Sequence, residues 1–289
     1  MKFFRRNGAE QKRPLTRQAV KSREYYYLGE GIALAKLKSG HFVYVDPLEE
    51  SVCSHLIAHG EWEPWISKVV TSLVQEGDHV VEVGGHVGYY TLGMAQKVGP
   101  TGSILTFEAN PRLAALAQRS VRFNGFGKIV KIEQKVASDT AGTLKFMVSR
   151  QFAGGSHVFL RDGLLSKDAE VIEVESVRLD DLRLKKVDFL RIDAEGSEVL
   201  ILQGAQKVLS NPDLIICMEW DLVQMRSRSD PDELLASLVE QGFKFWQIQT
   251  DSTLMPLTRE ALMRVTSCDV VITRRDEATL LSRIASVRA

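Results

Sequence analysis

The sequence predicts a doubly wound α/β fold, with a mainly parallel sheet of about seven strands and a small N-terminal extension. Three observations carry this. Beyond His79, short apolar runs alternate with segments of helical period. The runs are continuous rather than alternating, the pattern of strands covered on both faces. Between them stand explicit helix boundaries built from Asn, Asp, Pro and Gly.

The elements follow in order. Residues 1–23 carry eight basic side chains and one acid, Glu10, so residues 1–24 read as a basic flexible tail. From Tyr25 to Asp46 the text reads as short antiparallel strands with a turn at Ser39-Gly40. Two short helices follow, the second ending at Gly77, which makes residues 25–75 an N-terminal cap. The main domain, 76–289, takes its strands from the runs at 80–83, 103–108, 129–136, 187–193, 214–220, 243–248 and 269–274. Asn110-Pro111 opens one helix and Asn124-Gly125 ends it. Asp230-Pro231 opens another, which stops before Gly242, and a helix is expected over 196–212. An extra extended pair, 143–149 and 170–178, interrupts the alternation.

Composition narrows the function. Lys plus Arg and Asp plus Glu are both 37, so no net field draws nucleic acid, and none is expected as a partner. The basic tail suits at most a weak contact with an anionic surface. No run of 18 apolar residues predicts a transmembrane helix, and the N-terminus lacks the apolar stretch of a signal peptide. The three cysteines are widely spaced and lie in or beside apolar runs, as buried free thiols would. A cytoplasmic location is the expectation.

In doubly wound folds ligands bind beyond the carboxyl ends of the strands. The first such end reads Glu82-Val83-Gly84-Gly85-His86-Val87-Gly88. Counted from Gly84, a dinucleotide fingerprint requires glycine where His86 and Tyr89 stand, so the seat for a pyrophosphate is missing. A glycine turn without that seat suits a nucleoside without phosphates, and S-adenosylmethionine is the obvious one. Its carboxylate can use turn amides at the helix start. Glu108, ending the second strand, can accept both ribose hydroxyls. Glu82 can meet the ammonium of the methionine tail, and the turn at 136–139 lies where adenine belongs.

With these residues in place, the order "VVEVGGHVGYYTL", "LTFEANP", "VASDTAGTLKF", "GGSH" and "VDFLRIDAEGSEVLILQGAQKVL" resembles the FkbM-type methyltransferases. The match runs over about residues 60–220, and "IDAEGSE" is its most specific block. The resemblance implies a class I, Rossmann-like fold, S-adenosylmethionine as cofactor, and transfer of a methyl group mostly to hydroxyl oxygen. It implies a donor site at Glu82, Gly84, Gly88, Glu108, Ala137 and Ser138. The neighbouring Gly85, His86, Tyr89 and Asn110 complete the expected set. His86 departs from the family's usual Asn.

A hydroxyl acceptor loses a proton, so a base is wanted. Asp193, at the end of the fourth strand, leads the candidates, with Glu195 and His157 beside it. Ser156 and Glu219 are expected to face the acceptor. The acceptor class is a hydroxyl on a sugar, glycan or secondary metabolite, and no metal is expected. The alternatives are a nitrogen or carboxylate acceptor, or a non-catalytic protein that retains the fold.

Overall fold

The computed structural model describes residues 24–159 and 169–285. The expected basic tail, apart from Glu24, lies outside the described residues.

The chain opens with a three-stranded antiparallel sheet, β1 (Tyr25–Gly29), β2 (Ile32–Lys36) and β3 (Phe42–Val45). β3 docks on a later helix, α4 (Pro111–Phe123). There the Phe42 N–H donates to Asn124 Oδ1 at 3.0 Å, and the Asn124 side-chain amide returns a bond to Phe42 O at 2.6 Å. The asparagine that marks the end of α4 in the sequence thus also satisfies an edge strand's backbone. Helices α1 (Cys53–His59) and α2 (Pro64–Leu73) follow. α2 stops at Leu73, four residues before the expected Gly77, because Val74 is already extended at ψ 133°.

The main sheet takes β4 (His79–Val83), β5 (Ser103–Phe107) and β6 (Val130–Glu133), with α3 (Tyr89–Val98) and α4 (Pro111–Phe123) between them. The run expected over 129–136 divides. After β6 the chain leaves this sheet, and β7 (Val136–Ala137) joins a separate four-stranded sheet with β8 (Gly142–Ser149), β9 (His157–Val158) and β10 (Ala169–Val177). β8 and β10 are the extra extended pair, running antiparallel from Gly142↔Ser176 to Ser149↔Ala169. The chain then returns through β11 (Phe189–Ile192), helices α5 (Glu198–Gln203) and α6 (Gln206–Leu209), and β12 (Ile215–Asp221). Helices α7 (Leu222–Arg226) and α8 (Pro231–Glu240) lead to β13 (Lys244–Ile248), β14 (Leu254–Leu257) and β15 (Ser267–Thr273).

The main sheet has eight strands, in the order β14-β13-β15-β12-β11-β4-β5-β6. β6, β5, β4, β11 and β12 are parallel, and β15 runs antiparallel between β12 and β13. The strand beyond the expected seven is β14, an edge strand with Pro256 opposite Trp246. A proline reads against a strand in a sequence but is tolerated at a sheet edge, where its missing N–H faces no partner. One apolar layer holds residues of α2, α3, α4 and the helix 277–285. The other holds residues of α5 to α8, so helices cover both faces.

The single helix expected over 196–212 is broken at Gly204. A Cβ there would stand 2.0 Å from the Ser138 carbonyl oxygen, and Gly204 O accepts from the Asp180 N–H at 3.0 Å. The backbone is pressed against a neighbouring loop: the Gly204 N–H still bonds Leu200 O at 3.0 Å, but its carbonyl leaves the helical ladder for Asp180. No helix among the described residues is long and apolar enough to cross a membrane. Cys53 and Cys217 are buried free thiols, and Cys268 is half-buried.

Candidate active site

A cavity of about 360 Å³ opens at the carboxyl ends of β4, β5, β11 and β12. The N-terminal segment roofs it with Ser51, Val52, Trp62 and Glu63, and the second sheet closes it with Phe146 and Val158, joined by Ala153 from the turn between β8 and β9.

The glycine turn forms one wall. Gly84 and Gly88 have φ of +85° and +90°, backbone that L side chains rarely adopt. The N–H groups of Gly84 and Gly85 both donate to Phe107 O, at 2.9 and 3.1 Å, which ties the turn to the end of β5. His86 continues in the left-handed region at φ +49°. Its N–H donates to Glu108 Oε2 at 2.7 Å, while the Asn110 N–H donates to Glu108 Oε1 at 2.8 Å. Each carboxylate oxygen of Glu108 therefore accepts one amide and keeps a lone pair for a diol. Burial pushes the Glu108 carboxyl up to about 7.

Asn110 acts through α4: its side chain accepts the Arg112 and Leu113 amides and caps the helix. Gly84, Gly85, His86, Tyr89, Glu108 and Ala137 line the cavity. Glu82 is fully buried beneath the turn, where its Oε2 accepts the hydroxyls of Thr91 and Thr106. It is not among the residues that line the cavity. At Gly88 a Cβ would meet Ala117 of α4 at an ordinary 3.6 Å, so it is the φ of +90° rather than crowding that calls for glycine. Ser138 is buried, and its N–H donates to Val177 O at 2.9 Å.

The acidic wall comes from β11, β12 and β15. Asp193, Glu195 and Glu219 all line the cavity, with Glu63 and Asp269. Asp193 Oδ2 is held by Arg191 Nη2 at 2.8 Å. Glu195 sits at φ +52°, and its Oε2 accepts from Gln224 Nε2 at 3.0 Å. Burial and the neighbouring Asp193 push its carboxyl up to about 7. Glu219 goes up to about 9, from burial and from Asp193, Glu195, Glu198 and Asp269 around it. Asp269 is the direct partner of Glu219 in the β12–β15 ladder and is itself pushed up to about 7, chiefly by burial. Such a group of carboxyls shares protons at neutral pH. Ligand atoms of Asp193, Glu195 and Glu219 lie within 4.8 Å of one another, a spacing that also suits one divalent cation.

Ser156 lines the cavity but His157 does not. The His157 Nδ1 lies 2.9 Å from Gly155 O, a bond within its own loop.

The site also contains residues that the sequence reading did not single out. Arg191, only 5% exposed, donates to Gly84 O at 3.3 Å, approaches Glu82 Oε1 at 3.7 Å and stacks 3.7 Å above the Tyr90 ring. It ties the donor turn to the acidic wall. Its signal was present: an arginine inside the apolar run "VDFLRID". Glu63, which accepts the Tyr90 hydroxyl at 3.0 Å, and Asp269 carried no local signal.

The model of the methyltransferase FkbM domain matches residues 82–245. Methyltransferase 1 of Beauveria bassiana is 26% identical over 144 residues, 43% of this chain and 57% of that protein. The transmembrane O-methyltransferase of Propithecus coquereli is 36% identical over 89 residues, 30% of this chain and 31% of that protein. The chain thus spans little more than half of the first relative and about a third of the second. Among solved structures, methyltransferase FkbM from Methylobacillus flagellatus is similar at 12% identity and a TM-score of 0.44, covering 70% of this chain and 47% of that one. An O-methyltransferase from Bacillus cereus in complex with SAH is similar at 18% identity and a TM-score of 0.44, covering 76% of this chain and 86% of that one.

Proposed function

The chain belongs to the FkbM methyltransferase family, and we propose that it uses S-adenosylmethionine to methylate a hydroxyl oxygen of a sugar, glycan or secondary metabolite. The observation that carries the donor reading is Glu108, a buried carboxylate with one free acceptor position on each oxygen, beside a turn without side chains at positions 84 and 85. When bound, S-adenosylmethionine supplies a methyl group on a sulfonium, which departs as a neutral thioether. Glu108 would hold the ribose hydroxyls, and Phe107, Val136, Ala137 and Phe146 the flat face of adenine. Names of relatives such as transmembrane O-methyltransferase support an oxygen acceptor.

The acidic wall supports the same choice, because a hydroxyl must surrender its proton as the new carbon–oxygen bond forms. We assign that proton to Glu195 rather than to Asp193. Asp193 is already paired with Arg191, whereas Glu195 has a carboxyl near 7, where a base works best at neutral pH. Glu219 is pushed higher still, to about 9, by burial and the acids around it, and is less suited to accept the proton.

Titration calorimetry with S-adenosylhomocysteine tests the donor site. The wild type binds, and Glu108→Ala binds about 100-fold more weakly, the loss of two charge-assisted hydrogen bonds. A wild type that releases no heat at several temperatures overturns the reading. For the base, Glu195→Gln retains donor affinity and loses about 10²–10⁴-fold in kcat. In the wild type kcat rises with pH through about 7 as Glu195 ionises, and that limb is absent in the variant. A variant with full turnover and an unchanged profile moves the role to another group.

A further inference from the structure

His86 stands in the donor turn but the family reading leaves it without a task. Its backbone is committed, at φ +49° with its N–H on Glu108. Its side chain is not. Both ring nitrogens are buried without a hydrogen-bond partner, and the residue lines the cavity. Behind the ring, Nε2 lies 3.8 Å from Glu49 Oε2. Glu49 is only 1% exposed and is fixed in place: its carboxylate accepts the amides of Ser51, Val52 and Cys53 at 2.7, 2.9 and 2.6 Å, and the Ser51 hydroxyl. A rigid carboxylate thus backs a half-buried imidazole whose two ring nitrogens have no hydrogen-bond partner.

The charges around the cavity say what the ring is for. Six carboxyls line it, Glu63, Glu108, Asp193, Glu195, Glu219 and Asp269. An incoming ammonium has partners in plenty. An incoming carboxylate does not: Arg191 is engaged by Glu82 and Asp193, and Lys135 is paired with Glu175.

We propose that His86, backed by Glu49, anchors the carboxylate of the donor's amino-acid end and takes up one proton from solvent as that carboxylate binds. This rests on the donor reading of the cavity. Before binding, the charged groups that act on the ring are Glu49 from the N-terminal segment, Arg191 from β11 and Asp193 just beyond it. Burial outweighs the pull of the two acids and holds the imidazole below its ordinary value, so it is neutral in weakly alkaline buffer. The bound carboxylate adds a second negative group at its free side, and the charged ring then bridges two carboxylates. His86 is a positioning residue; it sets the reach of the methyl group without touching the reacting atoms.

The test is calorimetry at pH 8 in two buffers of different ionisation heat, with two ligands. S-adenosylhomocysteine carries the amino-acid end; 5′-methylthioadenosine lacks it. For the wild type we expect uptake of about one proton with the first and none with the second. His86→Asn, which keeps a donor and tolerates the left-handed backbone, binds S-adenosylhomocysteine about 10- to 100-fold more weakly without proton uptake. Its affinity for 5′-methylthioadenosine is unchanged. Wild-type binding of S-adenosylhomocysteine without proton uptake overturns the proposal. So does equal weakening of both ligands in His86→Asn, which marks a structural role, or unchanged affinity with a shifted pH–rate profile, which marks a role with the acceptor. A wild type that binds neither ligand overturns the donor reading itself, and the proposal falls with it.

Discussion

Gly84→Ala is expected to abolish donor binding and to lower the melting temperature by about 10 °C or more. A Cβ at this position would stand 1.8 Å from the Asp193 carbonyl oxygen, a backbone atom that cannot step aside. The φ of +85° adds strain for any L side chain. The end of β4 and the end of β11 touch here, and Arg191 Nη1 donates to Gly84 O across the junction. Opening it moves the glycine turn and the acidic wall apart, so stability and donor affinity fall together. Gly127→Ala is the control: its Cβ would meet Arg122 Cγ at 3.8 Å, ordinary contact, and its melting temperature stays within about 2 °C of wild type. Differential scanning calorimetry of the two variants, with and without S-adenosylhomocysteine, makes the comparison. A Gly84→Ala protein with native stability and affinity would contradict the close approach.

Arg191→Leu is expected to cost about 3–5 kcal/mol, the scale for breaking a buried ion pair from one side. The guanidinium serves two acids of different exposure. Glu82 is fully buried and pushed up by burial even with Arg191 present, whereas Asp193 has a partly exposed side chain. Without the arginine, Glu82 keeps a proton in the folded state to a still higher pH. A carboxyl raised in the folded state favours folding below its unfolded value and loses that contribution as pH rises through its folded value. The defect of Arg191→Leu is therefore smallest near pH 5 and grows towards pH 8. Adding Glu82→Gln removes the uncompensated charge and recovers about half of the loss. Urea unfolding of the single and double variants at both pH values reads the result. A defect independent of pH assigns the cost to lost packing on Tyr90 instead.

Much of the architecture was legible because its signals are local. Asn110 caps α4 as its place before Pro111 implied, and Asp230 caps α8 in the same way. The continuous apolar runs at 80–83, 103–108, 187–193 and 214–220 became parallel strands of the main sheet. What escaped was set by distant contacts. Gly204 reads as a tolerable residue within a helix, and only the Ser138 carbonyl against it breaks the helix in two. β14 is concealed by Pro256, harmless only because the strand is at an edge. The site divides in the same way. The glycine turn and Glu108 are adjacent strand ends and could be placed from order alone. Glu82 stands in the same stretch, but strand alternation turns its side chain into the protein, where it is fully buried and does not line the cavity. Asp269 arrives on an antiparallel strand from the far end of the chain, and no spacing rule points to it.

That antiparallel strand sets two carboxyls against each other, Glu219 opposite Asp269, an arrangement that like charges resist. The folded chain tolerates it by withholding protons from solvent at neutral pH, as Glu108 and Glu198 also do. A tally of side chains gives equal numbers of acids and bases and an isoelectric point near 7.0. Glu108, Glu198, Glu219 and Asp269 hold protons that the same groups give up in the unfolded chain, so unfolding at neutral pH releases acid from them into the medium.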